Sequence, residues 1–251
     1  MRIGGVKLNH LVREVPRINT GIIDELIEGG IPIGSIILIK GNPKSGKSLF
    51  INQILYNQLR QGVPIIGILA DEPKEEFLQN TREFGWDFLR YGDKVRLVDI
   101  FSKRIRKKSV WEEDPIITNP YDILEFMSII KDITLEFILK QDQPYIAGWV
   151  SSINSLFFGM EKSLVYEFFN NLKDLAKRAK QVWFVEMNSN TEVPDVEAAI
   201  NAIADGIIEL KLTEEDKTLE RYLRVYGMRR TIHSSTWVPF EITKRGIVLK
   251  N

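Results

Sequence analysis

Short apolar runs of strand length alternate along the chain with longer segments in which apolar residues return every three or four positions. Residues 35–40 (SIILIK) form one such run, and a Gly-rich turn follows it. Residues 49–61 then carry Leu49, Phe50, Ile54, Leu55 and Leu59 at helical spacing, and Gly62-Val63-Pro64 stops the helix. Residues 65–70 read as a second buried strand, 74–84 as a helix and 95–100 as a third strand. A helical pattern over 121–140, a strand over 145–150, an amphipathic helix over 163–180 and a strand over 182–187 continue the alternation. From residue 205 the pattern changes to strands joined by turns, over 206–212, 220–228, 238–243 and 246–251. Alternating strands and helices imply a parallel sheet covered on both faces. The late strands extend that sheet as an antiparallel edge. The fold class expected is α/β, a mostly parallel sheet flanked by helices with antiparallel edge strands. No repeat or low-complexity segment divides the chain, so residues 1–251 are expected to form a single domain.

The same periodicity nominates a core. Leu164, Phe168 and Leu172 recur at helical spacing and are expected to be buried, as are Trp149 and Trp183 within their strands.

Composition narrows the function classes. The 34 basic and 34 acidic residues cancel, which argues against a general polyanion binder. Cysteine is absent, so disulfides and thiolate metal sites are excluded, and two histidines give little basis for a zinc centre. No apolar run is long enough to span a membrane, and the first residues carry no apolar signal core. The expected location is therefore the cytoplasm.

The turn after the 35–40 strand reads GNPKSGKSLF and matches G-x-x-x-x-G-K-[ST] through Gly41, Gly46, Lys47 and Ser48. Its position between a strand and a helix is the context this phosphate-binding motif requires. Gly41, Asn42, Pro43, Lys44, Ser45, Gly46, Lys47, Ser48 and Leu49 are expected to wrap a nucleotide's phosphates. Backbone N–H groups make an anion-binding nest, and the helix starting near Lys47 adds the positive end of its dipole. Lys47 would reach the β- and γ-phosphates, and Ser48 would ligate Mg²⁺. Glycine at 46 keeps a Cβ away from the phosphate.

Several further stretches appear in a familiar order. They are INTGIIDELIEGGIPIGSIILIKGNPKSGKSLFINQILYNQL, REFGWDFLRYGDKVRLVDI, IADGIIEL and MRRTIHSSTWVPFEITKRGIVL. With the phosphate loop, they resemble RecA-superfamily P-loop ATPases of the KaiC- and RadA-like branch common in archaea. The resemblance spans most of the chain and is weakest over residues 101–143. It implies a RecA-like core, ATP and Mg²⁺ as ligands, and a homo-oligomeric ring or filament with ATP between neighbouring subunits.

Residue by residue, the resemblance is uneven. The family's acidic pair after the second strand is matched by Asp71-Glu72. One of the two would polarise the attacking water, with Glu72 preferred. Alternatively, the pair is a set of helix-start acids favoured by the dipole, as Pro73 and the following KEE suggest. The family strand ending in Asp-Ser here ends in Ser151-Ser152, which removes a charge from the metal side of the site. The absence of that Asp should weaken catalysis more than nucleotide binding. Asp142 lies at the other end of the strand, roughly 20 Å away, and cannot substitute.

The family's K-M-R-G segment, which reaches a neighbour's γ-phosphate, is Gly227-Met228-Arg229-Arg230 here. Arg229 matches the Arg and the Lys is lost, with Arg230 as a compensating cation. A β-turn charge pair is the alternative. His233 falls where the family often has His, and a turn role fits equally. Asn188 stands where related ATPases sense the γ-phosphate. Glu186 nearby is either a surrogate acid or, as preferred, a residue at a sheet edge or paired with Arg.

One dense basic run, SKRIRKK at 102–108, follows a strand end. It reads as a contact for single-stranded DNA phosphates or as a solvated loop neutralised by Glu112, Glu113 and Asp114. Zero net charge favours the loop. The functional expectation is an ATP-binding protein with slow or conditional Mg²⁺-dependent hydrolysis in a homo-oligomer. The alternatives are a non-hydrolysing nucleotide sensor or scaffold, and a recombination accessory protein on single-stranded DNA.

Overall fold

The computed structural model describes residues 15–106, 117–119, 121–140, 145–157, 160–189, 194–215 and 218–250. A two-stranded antiparallel piece, β1 (Arg17–Ile18) with β2 (Ile31–Pro32), leads into β3 (Ser35–Gly41). After β3 come α1 (Lys47–Arg60), β4 (Ile65–Leu69), α2 (Lys74–Arg82) and β5 (Val95–Asp99). Then follow α3 (Ile100–Arg104), α4 (Ile123–Lys140), β6 (Ile146–Ser151), α5 (Ile153–Phe157), α6 (Lys162–Arg178), β7 (Gln181–Asn188) and α7 (Pro194–Ile203). The chain closes with β8 (Gly206–Glu215), β9 (Thr218–Met228), β10 (Val238–Thr243) and β11 (Gly246–Leu249).

Nine of these strands make one sheet in the order β11-β10-β9-β8-β3-β7-β6-β4-β5. From β8 to β5 every neighbour pair is parallel. β9, β10 and β11 are added antiparallel, as expected from the change of pattern after residue 205. Connections within the parallel part pass through helices, because a hairpin cannot join parallel strands. The central strands are therefore covered on both faces and read as continuous apolar runs.

Side-chain alternation sorts these runs into two cores. Ile37 and Ile39 of β3, Ala147 and Trp149 of β6, and Val182 and Phe184 of β7 pack with Phe50, Ile54 and Leu55 of α1. Ile36, Leu38, Val150, Trp183 and Val185 pack on the other face with α4 and α6. Both tryptophans are fully buried, as expected. In α6 the buried stripe is Val165, Phe168, Phe169, Leu172 and Ala176. Leu164 is 36% exposed and does not belong to it. The helix is rotated so that Val165, three residues before Phe168, takes the inward place. The short helices α3, α5 and α7 were not foreseen; α3 and α5 are only one or two turns long, too short for an apolar period to register.

Candidate nucleotide-binding site

β3 carries the chain to the carboxyl ends of the parallel strands at Gly41, where nucleotides bind in open α/β sheets. A Cβ at Gly41 would lie 2.1 Å from Leu210 O and 2.7 Å from Ser45 Oγ, so only glycine fits between β8 and the turn. Within the turn Lys44 (φ 66°) and Gly46 (φ 102°) adopt the left-handed conformation. Such residues turn successive N–H groups toward one point, forming an anion-holding nest. The φ of Gly46 is what demands glycine there. Ser45 Oγ is buried and has no hydrogen-bond partner among the described residues.

α1 starts at Lys47, inside the loop. Lys47 Nζ donates to Asn42 O at 3.0 Å and lies 3.9 Å from Glu186 Oε1. Burial pushes its ammonium group below the usual lysine range, and the charges of Glu186 and Asp71 oppose that shift. Ser48 Oγ donates to Glu186 Oε1 at 3.0 Å. The loop thus offers a buried hydroxyl without a partner, an ammonium group and left-handed turns that aim amides inward. This donor set fits a triphosphate chain with its Mg²⁺.

Asp71 and Glu72 follow β4 directly and stand at the same end of the sheet. Glu72 lines a cavity of about 220 Å³ together with Ser48, Leu49, Asn52 and Phe84. Burial is the main cause of its carboxyl being pushed up to about 7. The Asn80 hydrogen bond opposes this, while Glu76 and Asp71 reinforce it. Asp71 is also raised, chiefly by burial. The hydroxyls of Ser155 and Ser152 and the charges of Lys47 and Arg104 hold it down. Asp71 is exposed to solvent on one side. Ser151 Oγ accepts the Ala70 N–H at 3.1 Å, so it tethers β6 to the end of β4. Ser152 turns left-handed (φ 56°) into α5.

The other candidate residues fall into two groups. Asn188 ends β7 level with Gly41, and its backbone N–H donates to Asn154 Oδ1 at 2.8 Å. Arg229 is not brought to the loop. It follows β9 next to Asp205, at the amino end of β8, with Nη1 3.5 Å from Asp205 Oδ1 and Nη2 donating to Ala202 O at 3.0 Å. The length of β3, roughly 20 Å, separates that end of the sheet from the phosphate loop. Arg230 reaches back to Ser35 Oγ at 3.2 Å. His233 Nδ1 lies 3.0 Å from Thr231 O and its backbone bridges Ile27, which is a turn role.

Glu186 departs from its expected place. β7 lies between β3 and β6, in the interior of the sheet, and the partner of Glu186 is Lys47 rather than an arginine. Burial pushes Glu186 up to about 7, against the pull of Lys47 and the Ser48 hydroxyl. In the basic run, Arg104 is committed to the protein. It donates to Ser155 O and to Leu156 O, the latter at 2.9 Å, and lies 5.0 Å from the Tyr121 ring centroid. Lys107, Lys108, Glu112, Glu113, Asp114 and Asp142 lie outside the described residues.

A family model described as the KaiC ATPase matches residues 18–251. The chain belongs to the KaiC ATPase family. The UPF0273 protein of Pyrococcus furiosus is 33% identical over 246 residues, covering 94% of each chain. The UPF0273 protein of Thermotoga maritima is 33% identical over 247 residues, covering 94% of this chain and 96% of its own. The crystal structure of a KaiC-like protein from Pyrococcus horikoshii superposes with a TM-score of 0.76 at 26% identity. That match covers 94% of this chain and all of the other. Membership in the KaiC family supports an ATP-binding, RecA-like P-loop protein, for which Mg²⁺ is the usual companion ion.

Sequence reasoning missed three features of this KaiC-family site. The first is the contact between Glu186 and Ser48. Its signal was an acid inside an otherwise apolar central strand, at a position whose parity matches Val182 and Phe184 on the α1 face. The second is the Asn80 bond to Glu72, which joins residues eight apart across the start of α2. The third is the anchoring of α5 by Arg104, for which the sequence carries no local sign.

Proposed function

We propose that this KaiC-family chain is a Mg²⁺-dependent ATP hydrolase that works as a homo-oligomer. The observation that carries this reading is the shared cavity: Ser48, at the start of α1, and Glu72, three residues past β4, line one space together with Leu49 at the end of the phosphate loop. The loop amides and Lys47 hold the phosphates. Ser48 Oγ is the protein ligand to the metal, and bound Mg²⁺ would neutralise charge on the β- and γ-phosphates. Glu72 orients a water and takes its proton. A carboxyl group raised to about 7 is well matched to that work near neutral pH. Asp71, tied to Ser152 and Ser155, holds negative charge beside Lys47.

Arg229 completes the site only from a second copy. Its side chain is 56% exposed at the opposite end of the sheet. Two large apolar side chains of the same segment, Tyr226 (57% exposed) and Ile232 (76% exposed), face solvent in the single chain. Exposure of that kind fits an interface between copies.

Turnover of Mg-ATP by the wild type and by Glu72→Gln tests the reading. The expected result is retained ATP affinity with a turnover loss of about 10²-fold or more. Equal turnover by Glu72→Gln removes Glu72 from the mechanism. A wild type that binds Mg-ATP and never turns it over points instead to a nucleotide-holding scaffold, the reading that Ser151 in place of an acid would favour.

A further inference from the structure

The metal side of the site lacks an acid where β6 ends, yet a carboxylate stands close by. β7 is the immediate neighbour of β3, and β6 lies one strand further out. The parallel register pairs Val150 with Val185. One step further along both strands, Ser151 is level with Glu186. Alternation gives both residues the parity of Ala147, Trp149, Val182 and Phe184, the set that packs on the α1 face. Glu186 is therefore displaced sideways by one strand, roughly 4.8 Å, toward the phosphate loop.

Its surroundings are built rather than accidental. Glu186 is 7% exposed, and burying a carboxylate costs free energy unless partners compensate. The partners present are Ser48 Oγ at 3.0 Å and Lys47 Nζ at 3.9 Å, the two side chains of the loop motif that face phosphate and metal. Ser151 brings no charge to the same work, and its hydroxyl oxygen accepts the Ala70 N–H.

We propose that Glu186 is the metal-side acid of this protein, a positioning residue that accepts a hydrogen bond from the Ser48 hydroxyl and so turns the Ser48 Oγ lone pairs toward Mg²⁺. It does from β7 what the Ser151 position leaves undone on β6. A carboxylate that accepts a hydrogen bond from a ligand fixes the ligand's orientation and raises its basicity. The proximity of Lys47 adds a second consequence. Glu186 holds the ammonium group at the loop before phosphates arrive, so the metal acid and the phosphate cation are set in place by one carboxylate.

This inference rests on the proposed Mg-ATP site, and the experiment separates the two. The affinity of a non-hydrolysable ATP analogue is measured twice for each variant, in EDTA and in Mg²⁺, and the ratio reads the metal's contribution. Thermal melts run alongside. For the wild type, Mg²⁺ tightens binding. Glu186→Gln keeps the carboxylate's shape, and its Mg²⁺-dependent tightening is expected to fall about 10- to 100-fold. The double variant Ser151→Asp/Glu186→Gln returns the acid to the neighbouring strand and is expected to recover most of the tightening. A structural role alone would lower the melting temperature of Glu186→Gln and leave the ratio untouched, which overturns the proposal while the site stands. Failure of the double variant to recover the ratio also counts against it. A wild type that binds no analogue under either condition overturns the underlying site, and the inference with it.

Discussion

Asn80 Nδ2 donates a 2.9 Å hydrogen bond to Glu72 Oε2, so α2 holds the acid that follows β4. This bond favours the charged carboxylate, while burial favours the neutral one and dominates. A base must be ionised to take a proton. Turnover is therefore expected to rise with pH through a midpoint near 7 and then level off. Asn80→Ala removes a bond that stabilises the anion, so the midpoint should move upward. Activity near neutrality should fall and should recover at about pH 9. A lower plateau with an unmoved midpoint would show that Asn80 only supports the fold.

The same carboxyl group links stability to pH with a definite sign. Its ordinary value is 4.5, and folding raises it to about 7. Well below 4.5 both folded and unfolded chains hold the proton, and the group costs nothing. Between those two values the unfolded chain releases its proton first, so stability falls as pH rises. Above about 7 the cost is constant. Glu72→Gln removes the titration. It is expected to melt higher than the wild type at about pH 8 and to show no such gain at about pH 4. Differential scanning calorimetry at the two pH values decides the matter.

The glycines of the phosphate loop should fail for different reasons. Gly41→Ala drives a Cβ against the backbone oxygen of Leu210, which cannot swing aside, and overpacking of this kind costs about 1–3 kcal/mol. Gly46→Ala meets nothing closer than 3.6 Å but must adopt a φ of 102°, a strain of roughly 1–3 kcal/mol. Both variants should melt lower than the wild type. A denaturant titration that finds Gly46→Ala as stable as the wild type would refute the conformational argument.

Arg229 lies at the far end of the sheet from Lys47, so under the proposed mechanism it would act on the phosphates of another copy. Arg229→Ala is expected to keep ATP affinity in the isolated chain and to lose about 10³-fold in turnover. Mixing it with Lys47→Ala is the sharper test. Each variant alone is inactive, and the mixture should regain activity at interfaces that pair an intact loop with an intact Arg229. No regain on mixing would place Arg229 outside the mechanism.

The sheet was legible because each central strand is a largely apolar run with a helix period after it, as in residues 35–40 followed by 49–61. Periodicity also marked the antiparallel edge, where strands follow one another without helices. It did not fix rotation in α6, since Leu164 and Val165 are both apolar and only packing chooses between them. The phosphate loop was readable because its chemistry is local: Gly41, Gly46, Lys47 and Ser48 act within one turn. Glu186 was not, because its meaning comes from strand order. An acid on β7 reaches Ser48 only once β7 is known to lie beside β3. Arg104 was misleading for the same reason. Its partners, Ser155 and Leu156, are about fifty residues away in the chain, and a basic run in sequence turns out to contain a half-buried clamp.

The most direct measurement is ATP affinity of the wild type beside Lys47→Ala, by isothermal titration calorimetry in Mg²⁺. A charge-assisted hydrogen bond contributes about 1.5–3 kcal/mol, so the substitution should weaken binding about 10- to 100-fold. Binding is compared below the melting temperature of both proteins, because Lys47→Ala also takes a partner from the buried Glu186. Equal affinity in the two proteins, or no heat of binding in the wild type, would contradict the assignment of residues 41–49 as the cradle of a nucleoside triphosphate.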